Sequence, residues 1–138
     1  MLRVVLDPGV LVSALISKQG SPAKLLLSWR GGSFELVASA KLLQELGRVL
    51  ARPKFRRYAA LDEVEEFVRM IQRGATLVED PPDPPSASLD PGDDYLVALA
   101  RTGGVDALVS GDPHLTTVTE LEALVSTPRQ FLDRLDQG

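Results

Sequence analysis

Four acidic residues stand where apolar stretches meet helix-start signals, or just inside the helix that follows. They are Asp7 in Leu6-Asp7-Pro8-Gly9, Glu45 in Leu42-Leu43-Gln44-Glu45-Leu46, Asp93 in Asp90-Pro91-Gly92-Asp93-Asp94, and Asp112 in Ser110-Gly111-Asp112-Pro113. Carboxylates gathered in one pocket repel, so either their pKa values rise or a cation neutralises them. The chain has no cysteine and one histidine, His114, which leaves oxygen as the available donor and points to a hard cation, Mg²⁺ or Mn²⁺. One or two such ions can activate a water for in-line attack on a phosphodiester and stabilise the leaving oxygen.

Each acid also has a plainer reading. Asp7, Asp90 and Asp112 precede proline and can serve simply as helix caps, because the Asp side chain accepts from free backbone N–H groups while proline has no N–H to lose. Glu45 can be an ordinary solvated helix residue, and Asp94 and Asp106 read as surface acids. His114 reads as a surface residue beside a cap, and Ser110 lacks a nearby base that would make it a nucleophile.

The elements that must position these groups follow from apolar runs and their punctuation. Val4, Val5 and Leu6 form a short β-branched strand feeding a helix over Val10 to Ile16, with Asp7 and Pro8 at its start. Ser21 reads as a cap with Pro22 first in a second helix, which runs through Leu25, Leu26 and Trp29 to a stop at Gly31-Gly32. Phe34 to Val37 is the next strand. Ser39 caps a third helix whose apolar residues Leu42, Leu43, Leu46, Val49 and Leu50 recur at helical spacing, with Glu45 on the edge of that stripe. Asp62 reads as the cap of a helix through Val64, Phe67, Val68 and Ile71 to Gly74, and Thr76 to Val78 as a third strand. Five of the ten prolines lie between Pro81 and Pro91, marking an extended loop. A helix from Asp90 to about Thr102, a strand over Ala107 to Val109, a strand at Leu124 and Val125, and a terminal helix opened by Thr127 and Pro128 complete the chain. Short apolar strands alternating with helices predict a parallel α/β sheet covered on both faces. In such a sheet ligands bind beyond the carboxyl ends of the strands, where Asp7 and Asp112 would lie and where Glu45 and Asp93 could join them.

At 138 residues the chain reads as a single domain, 1–138, since a chain of about 150 residues buries roughly two-thirds of its unfolded surface. No apolar run approaches the roughly 20 residues of a membrane helix, so a soluble, cytoplasmic protein is expected. The net charge of −4 is unevenly spread: residues 1–73 carry +5 and residues 74–138 carry −9. A polyanion could touch the first half and a cation the second, against the alternative of chance scatter. The basic run Arg52-Pro53-Lys54-Phe55-Arg56-Arg57-Tyr58 offers phosphate contacts through Arg52, Lys54, Arg56 and Arg57, or is a solvated linker.

Four stretches together resemble PIN-domain nucleases: Val4-Val5-Leu6-Asp7-Pro8-Gly9-Val10-Leu11-Val12-Ser13-Ala14-Leu15; Leu42 to Leu46 with the trailing Val49-Leu50-Ala51-Arg52-Pro53-Lys54-Phe55; Asp93 to Ala100; and Leu108-Val109-Ser110-Gly111-Asp112-Pro113-His114-Leu115. They occur in the family's order and span nearly the whole chain, most like the prokaryotic PIN proteins that are toxins of toxin–antitoxin pairs (VapC-like). The resemblance implies a three-layer α/β/α fold with a central, mostly parallel sheet of four to five short strands. It also implies a Mg²⁺- or Mn²⁺-dependent endoribonuclease, held by a cognate antitoxin and often a homodimer. By position, Asp7, Glu45, Asp93 and Asp112 would be catalytic and metal-binding. Ser110 matches the Thr or Ser that orients the site, and Asp94 would be a supporting neighbour of Asp93. The family usually has a polar residue and Asn after its first Asp, where this chain has Pro8 and Gly9.

Two other readings remain. A response-regulator receiver domain is a similar α/β chain with acids at strand ends, but it needs a lysine after its last strand. All four lysines here (Lys18, Lys24, Lys41 and Lys54) lie in the first 54 residues. A PIN-like module that has lost cleavage and binds RNA or a protein partner would account for Gly9. Trp29, Leu26 and Phe55 are candidates for a dimer surface, with core burial the expectation for the first two.

Overall fold

A computed structural model of the chain describes residues 1–80, 94–111 and 124–137. Five strands, β1 (Arg3–Leu6), β2 (Glu35–Ala38), β3 (Thr76–Leu77), β4 (Ala107–Val109) and β5 (Val125–Ser126), form one sheet in the order β3-β2-β1-β4-β5. Every neighbouring pair is parallel. The helices are α1 (Pro8–Ile16), α2 (Ser21–Arg30), α3 (Ala40–Leu50), α4 (Leu61–Gly74), α5 (Asp94–Thr102) and α6 (Pro128–Gln137), with a 3₁₀ turn at Pro53–Phe55. Among the described residues, the mostly parallel sheet of four to five strands expected from sequence is five-stranded and parallel throughout.

The central strands explain why helices must flank the sheet. Successive strand residues point to opposite faces, yet Val4, Val5 and Leu6 are all inaccessible to solvent, as are Ala107, Leu108 and Val109. Both faces are therefore covered, the arrangement that makes parallel strands read as continuous apolar runs. The core extends through Leu42, Leu46 and Leu50 of α3, Phe67 and Ile71 of α4, and Leu96 and Leu99 of α5. Phe34, just before β2, meets Phe131 of α6 edge to face at 5.6 Å between ring centroids. Among the described residues no helix is long and apolar enough to cross a membrane.

Local capping chemistry sets most helix starts. Asp7 caps α1 and Ser39 caps α3, its Oγ accepting from the Leu42 N–H at 3.3 Å, both as expected. Two other starts differ from the sequence reading. Gly20 is the cap of α2, and Ser21 and Pro22 are already helical. Ala60, not Asp62, occupies the cap position of α4: the Glu63 carboxylate accepts from the Ala60 N–H at 3.1 Å, and Asp62 lies in the first turn. A rigid Pro one residue inside the helix and a reaching Glu supply the order there, so the nearest small polar residue is not needed as the cap. The strands also shift slightly, to Glu35–Ala38, Thr76–Leu77 and Val125–Ser126. The proline-rich stretch and the start of the helix expected from Asp90 lie outside the described residues, and α5 is described from Asp94.

The start of α6 is a reciprocal capping box: the Gln130 N–H donates to Thr127 Oγ1 at 3.1 Å, and the Thr127 N–H donates to Gln130 Oε1 at 2.9 Å. Thr127→Ala should therefore cost about 1 kcal/mol of folding stability. Urea unfolding of the two proteins checks this through a lower midpoint at unchanged slope.

Candidate active site

The strand order reverses at β1. Chain order runs outward through β2 and β3 on one side, then crosses to β4 and β5 on the other. At such a switch point the turns after β1 and β4 diverge and leave a crevice at the strands' carboxyl ends. Asp7 follows β1 and Ser110 follows β4, and pairing continues just past both strands: the Asp7 N–H donates to the Val109 carbonyl at 3.0 Å, and the Ser110 N–H donates to the Ser126 carbonyl at 2.9 Å. Backbone hydrogen bonds thereby fix the two side chains next to each other. The Ser110 hydroxyl, fully buried, donates to Asp7 Oδ2 at 2.5 Å.

The other oxygen of Asp7, Oδ1, accepts from the Gly9 N–H at 2.5 Å as the cap of α1. Gly9 makes that short approach easy, because a Cβ there would stand 3.0 Å from Oδ1. The departure at Gly9 thus has a local physical use. Asp7 is 9% exposed and lines two clefts. One, of about 190 Å³, runs between Asp7, Pro8, Gly9, Val12, Glu45, Val49, Tyr95 and Leu96; the other, of about 370 Å³, is bounded by Ser13, Pro22, Gly111 and Pro128.

Glu45 projects from α3 into the first of these clefts, at the edge of the apolar stripe where its spacing predicts it. Its carboxylate is engaged by Arg48 in a two-pronged pair, Nε to Oε2 at 3.0 Å and Nη2 to Oε1 at 2.5 Å. The hydrogen bonds and charge of Arg48, with help from the charge of Arg52, hold the Glu45 carboxyl below its ordinary titration range, against a smaller opposing effect of burial. A depressed carboxylate pKa stabilises the fold above the unfolded-state pKa, and that contribution is lost as pH falls through the folded-state value. Solvent screening keeps the effect on stability small for so exposed a pair. In an Arg48→Gln variant the Glu45 carboxyl resonance should titrate at higher pH than in the wild type by carbon-13 NMR; an unchanged midpoint would contradict the pairing.

Of the expected quartet, then, Asp7 and Glu45 face one cleft and Ser110 is bonded to Asp7. Asp93 and Asp112 lie outside the described residues, as does His114, and Asp94 is described only as the first residue of α5. Asp106 immediately precedes β4, at the amino ends of the strands and away from the crevice, where its carboxylate accepts from the Arg3 N–H at 2.8 Å. Among the described residues no three His, Cys, Asp or Glu side chains come together as a metal centre. The two carboxylates supply oxygen donors only, and Mg²⁺ is commonly held by one or two carboxylates with waters completing its shell, so the donor chemistry fits a hard divalent ion.

The basic run after α3 is folded rather than a free linker. Phe55 is buried, which withdraws it from any dimer surface, and Trp29 is buried as expected while Leu26 is half-buried. Lys54 stands 5.2 Å over the Phe55 ring and Arg57 5.3 Å over Tyr58. Arg56 Nη2 donates to the Leu50 carbonyl, closing the C-terminal end of α3, so Arg56 has a structural task. Arg52, Lys54 and Arg57 stay exposed.

Sequence reading passed over Lys41, Gln44 and Arg48 as site residues. With Glu45 they form a polar stripe at i, i+3, i+4 and i+7 on α3, and that spacing was available as a signal. Together with Tyr95 of α5 they line a further cleft of about 260 Å³.

A parallel α/β sheet with a strand-order reversal has its crevice at the carboxyl ends of the strands, where ligands of such folds bind, and the buried Asp7–Ser110 pair lies there. The sequence profile of the PIN domain matches residues 3–114, and the chain belongs to the PIN domain family, whose members are generally nucleases. Two solved structures share the fold. PAE2754 from Pyrobaculum aerophilum is 17% identical, with a TM-score of 0.66, covering 99% of this chain and 91% of that one. VapBC2 from Rickettsia felis, bound to a DNA fragment from its promoter, is 10% identical, with a TM-score of 0.64, covering 91% of this chain and 98% of that one. No curated protein matches the sequence.

Proposed function

We propose that this protein is a Mg²⁺- or Mn²⁺-dependent endoribonuclease of the VapC type, formed by residues 1–138 as a single domain. The observation that carries this reading is the buried Asp7–Ser110 pair at the switch-point crevice, with Glu45 across the same cleft. Asp7, Glu45, Asp93 and Asp112 would hold the ion, with Ser110 and Asp94 in support. When bound, the ion would polarise a water toward the scissile phosphodiester and stabilise the leaving oxygen.

The chain's own residues prepare the site for that chemistry. Ser110 and the Gly9 N–H take one bond at each Asp7 oxygen and fix the plane of the carboxylate. The apolar walls of the cleft, Val12, Val49 and Leu96, limit how much bulk water surrounds the Asp7 carboxylate, which strengthens its pull on a cation. Exposed Arg52, Lys54 and Arg57 offer charge to an RNA backbone at the far end of α3.

The VapBC2 likeness supports a cognate antitoxin as partner. In this reading the chain acts as the toxin of such a pair, in the cytoplasm and as a homodimer. The test is cleavage of single-stranded RNA by the purified chain, measured with Mn²⁺, with Mg²⁺ and with excess EDTA, beside a DNA strand of the same sequence. Cutting of RNA that needs either ion and stops with EDTA is the expected result. Binding of RNA without cutting under either ion would overturn it in favour of a PIN-like binding module.

A further inference from the structure

Glu45 lines two adjoining clefts of opposite character. On one side it meets Asp7 in the acidic cleft; on the other it meets Lys41, Gln44 and Arg48, with Tyr95 shared by both. Arg48 bonds to both oxygens of Glu45, so a cation at that carboxylate meets the repulsion of the guanidinium charge. The pair is nevertheless an exposed one, with Arg48 60% and Glu45 35% accessible, and exposed ion pairs three residues apart on a helix are weakly held. An arginine fork that fits a carboxylate fits a phosphodiester equally well.

We propose that the Lys41–Gln44–Arg48–Tyr95 cleft receives the backbone phosphate neighbouring the scissile one, and that this phosphate draws Arg48 away from Glu45, releasing the carboxylate to bind the ion more tightly when RNA is in place. This rests on the nuclease reading above. Lys41 and Arg48 supply the positive charge, Gln44 an uncharged donor, and the Tyr95 ring a surface between the clefts. No bond is made or broken in the exchange; one anionic partner of Arg48 replaces another. RNA binding and ion binding thereby favour each other, since each gains from an open Arg48–Glu45 pair.

The first arm of the test measures binding of a short fluorescein-labelled single-stranded oligoribonucleotide by anisotropy, in EDTA so that nothing is cleaved. Arg48→Gln and Lys41→Gln should each weaken binding about fivefold, the change for one exposed charge contact, and each should lower the salt dependence by about one ion. Glu45→Gln should tighten binding about fivefold by freeing Arg48, and that gain should vanish when Arg48→Gln is also present. In the second arm, Mn²⁺ is titrated by electron paramagnetic resonance into RNA-free protein, where Arg48→Gln should bind the ion about fivefold more tightly than wild type. Arg48→Lys, which keeps the charge but not the fork, should bind RNA with an affinity between those of wild type and Arg48→Gln, and circular dichroism checks that every variant is folded. The proposal is overturned if Arg48→Gln leaves RNA affinity unchanged, if the Glu45→Gln gain is equal with and without Arg48, or if Mn²⁺ affinity does not rise. Because the first arm uses no divalent ion and no cleavage, failure of the nuclease reading would appear separately, as wild-type protein that binds RNA yet cuts none with Mn²⁺.

Discussion

Asp7→Asn should reduce metal-stimulated RNA cleavage by well over 100-fold while leaving the protein folded. Residues that act on a metal site through its ligands typically cost about 10- to 100-fold when removed, and Asp7 is proposed as a ligand itself, so its loss should exceed that range. Asn is the nearest neutral shape. Its amide oxygen can still accept from the Gly9 N–H, and its NH₂ can face Ser110 Oγ, because a hydroxyl accepts as well as donates. Asn also caps helices about as well as Asp, so the stability of α1 should change by less than about 1 kcal/mol. Circular dichroism and urea unfolding run beside the cleavage assay separate the two effects. Cleavage that survives in well-folded Asp7→Asn protein would exclude Asp7 from the chemistry.

Ser110→Ala should have the next largest effect, and it acts through position. The Ser110 side chain is fully buried and its hydroxyl donates to Asp7 Oδ2. Removing a hydrogen bond to a charged group costs about 1.5–3 kcal/mol, and a carboxylate without this donor can rotate about the bond held by Gly9. Cleavage should fall about 10- to 100-fold, with the loss partly offset at high Mn²⁺, where mass action restores occupancy of a weakened site. Ser110→Thr keeps the hydroxyl and should retain most of the activity. An inactive Ser110→Ala protein that excess Mn²⁺ does not help, with Ser110→Thr equally inactive, would mean that packing at this position matters and the hydroxyl does not.

The parts of the fold most readable from sequence are those fixed by short-range chemistry. Val4-Val5-Leu6 followed by Asp7-Pro8 specifies a buried strand, a cap and a helix within a few residues, and the structure has all three. Ser39 before the amphipathic Leu42–Leu50 stripe is a second case. Where several residues compete for one task, proximity in sequence misleads. Ser21 stands next to Pro22 yet is already helical, and Asp62 yields to Glu63, whose longer side chain can reach back to the Ala60 N–H.

The site was legible in its residue types and less so in its pairings. That Asp7 and Ser110, 103 residues apart, touch follows from the β1–β4 pairing, which no local pattern encodes. That Glu45 is held by Arg48 is a local fact, three residues along one helix, and neither reading of this acid, cation ligand or solvated helix residue, assigns it that partner. The basic run Arg52 to Tyr58 carried two opposed readings, phosphate contact or linker. Burial of Phe55 decides against the linker by anchoring the turn under α3.

The central claim is that acidic side chains from separate elements meet at the strand ends to hold a divalent ion. Crystals grown with Mn²⁺ and measured at an energy where manganese scatters anomalously test it most directly. The account predicts an anomalous peak in the cleft between Asp7 and Glu45, within coordinating reach of Asp7 and bounded by Asp93 and Asp112. A manganese-loaded crystal with its peaks elsewhere, and with Asp93 and Asp112 turned away from Asp7, would contradict it.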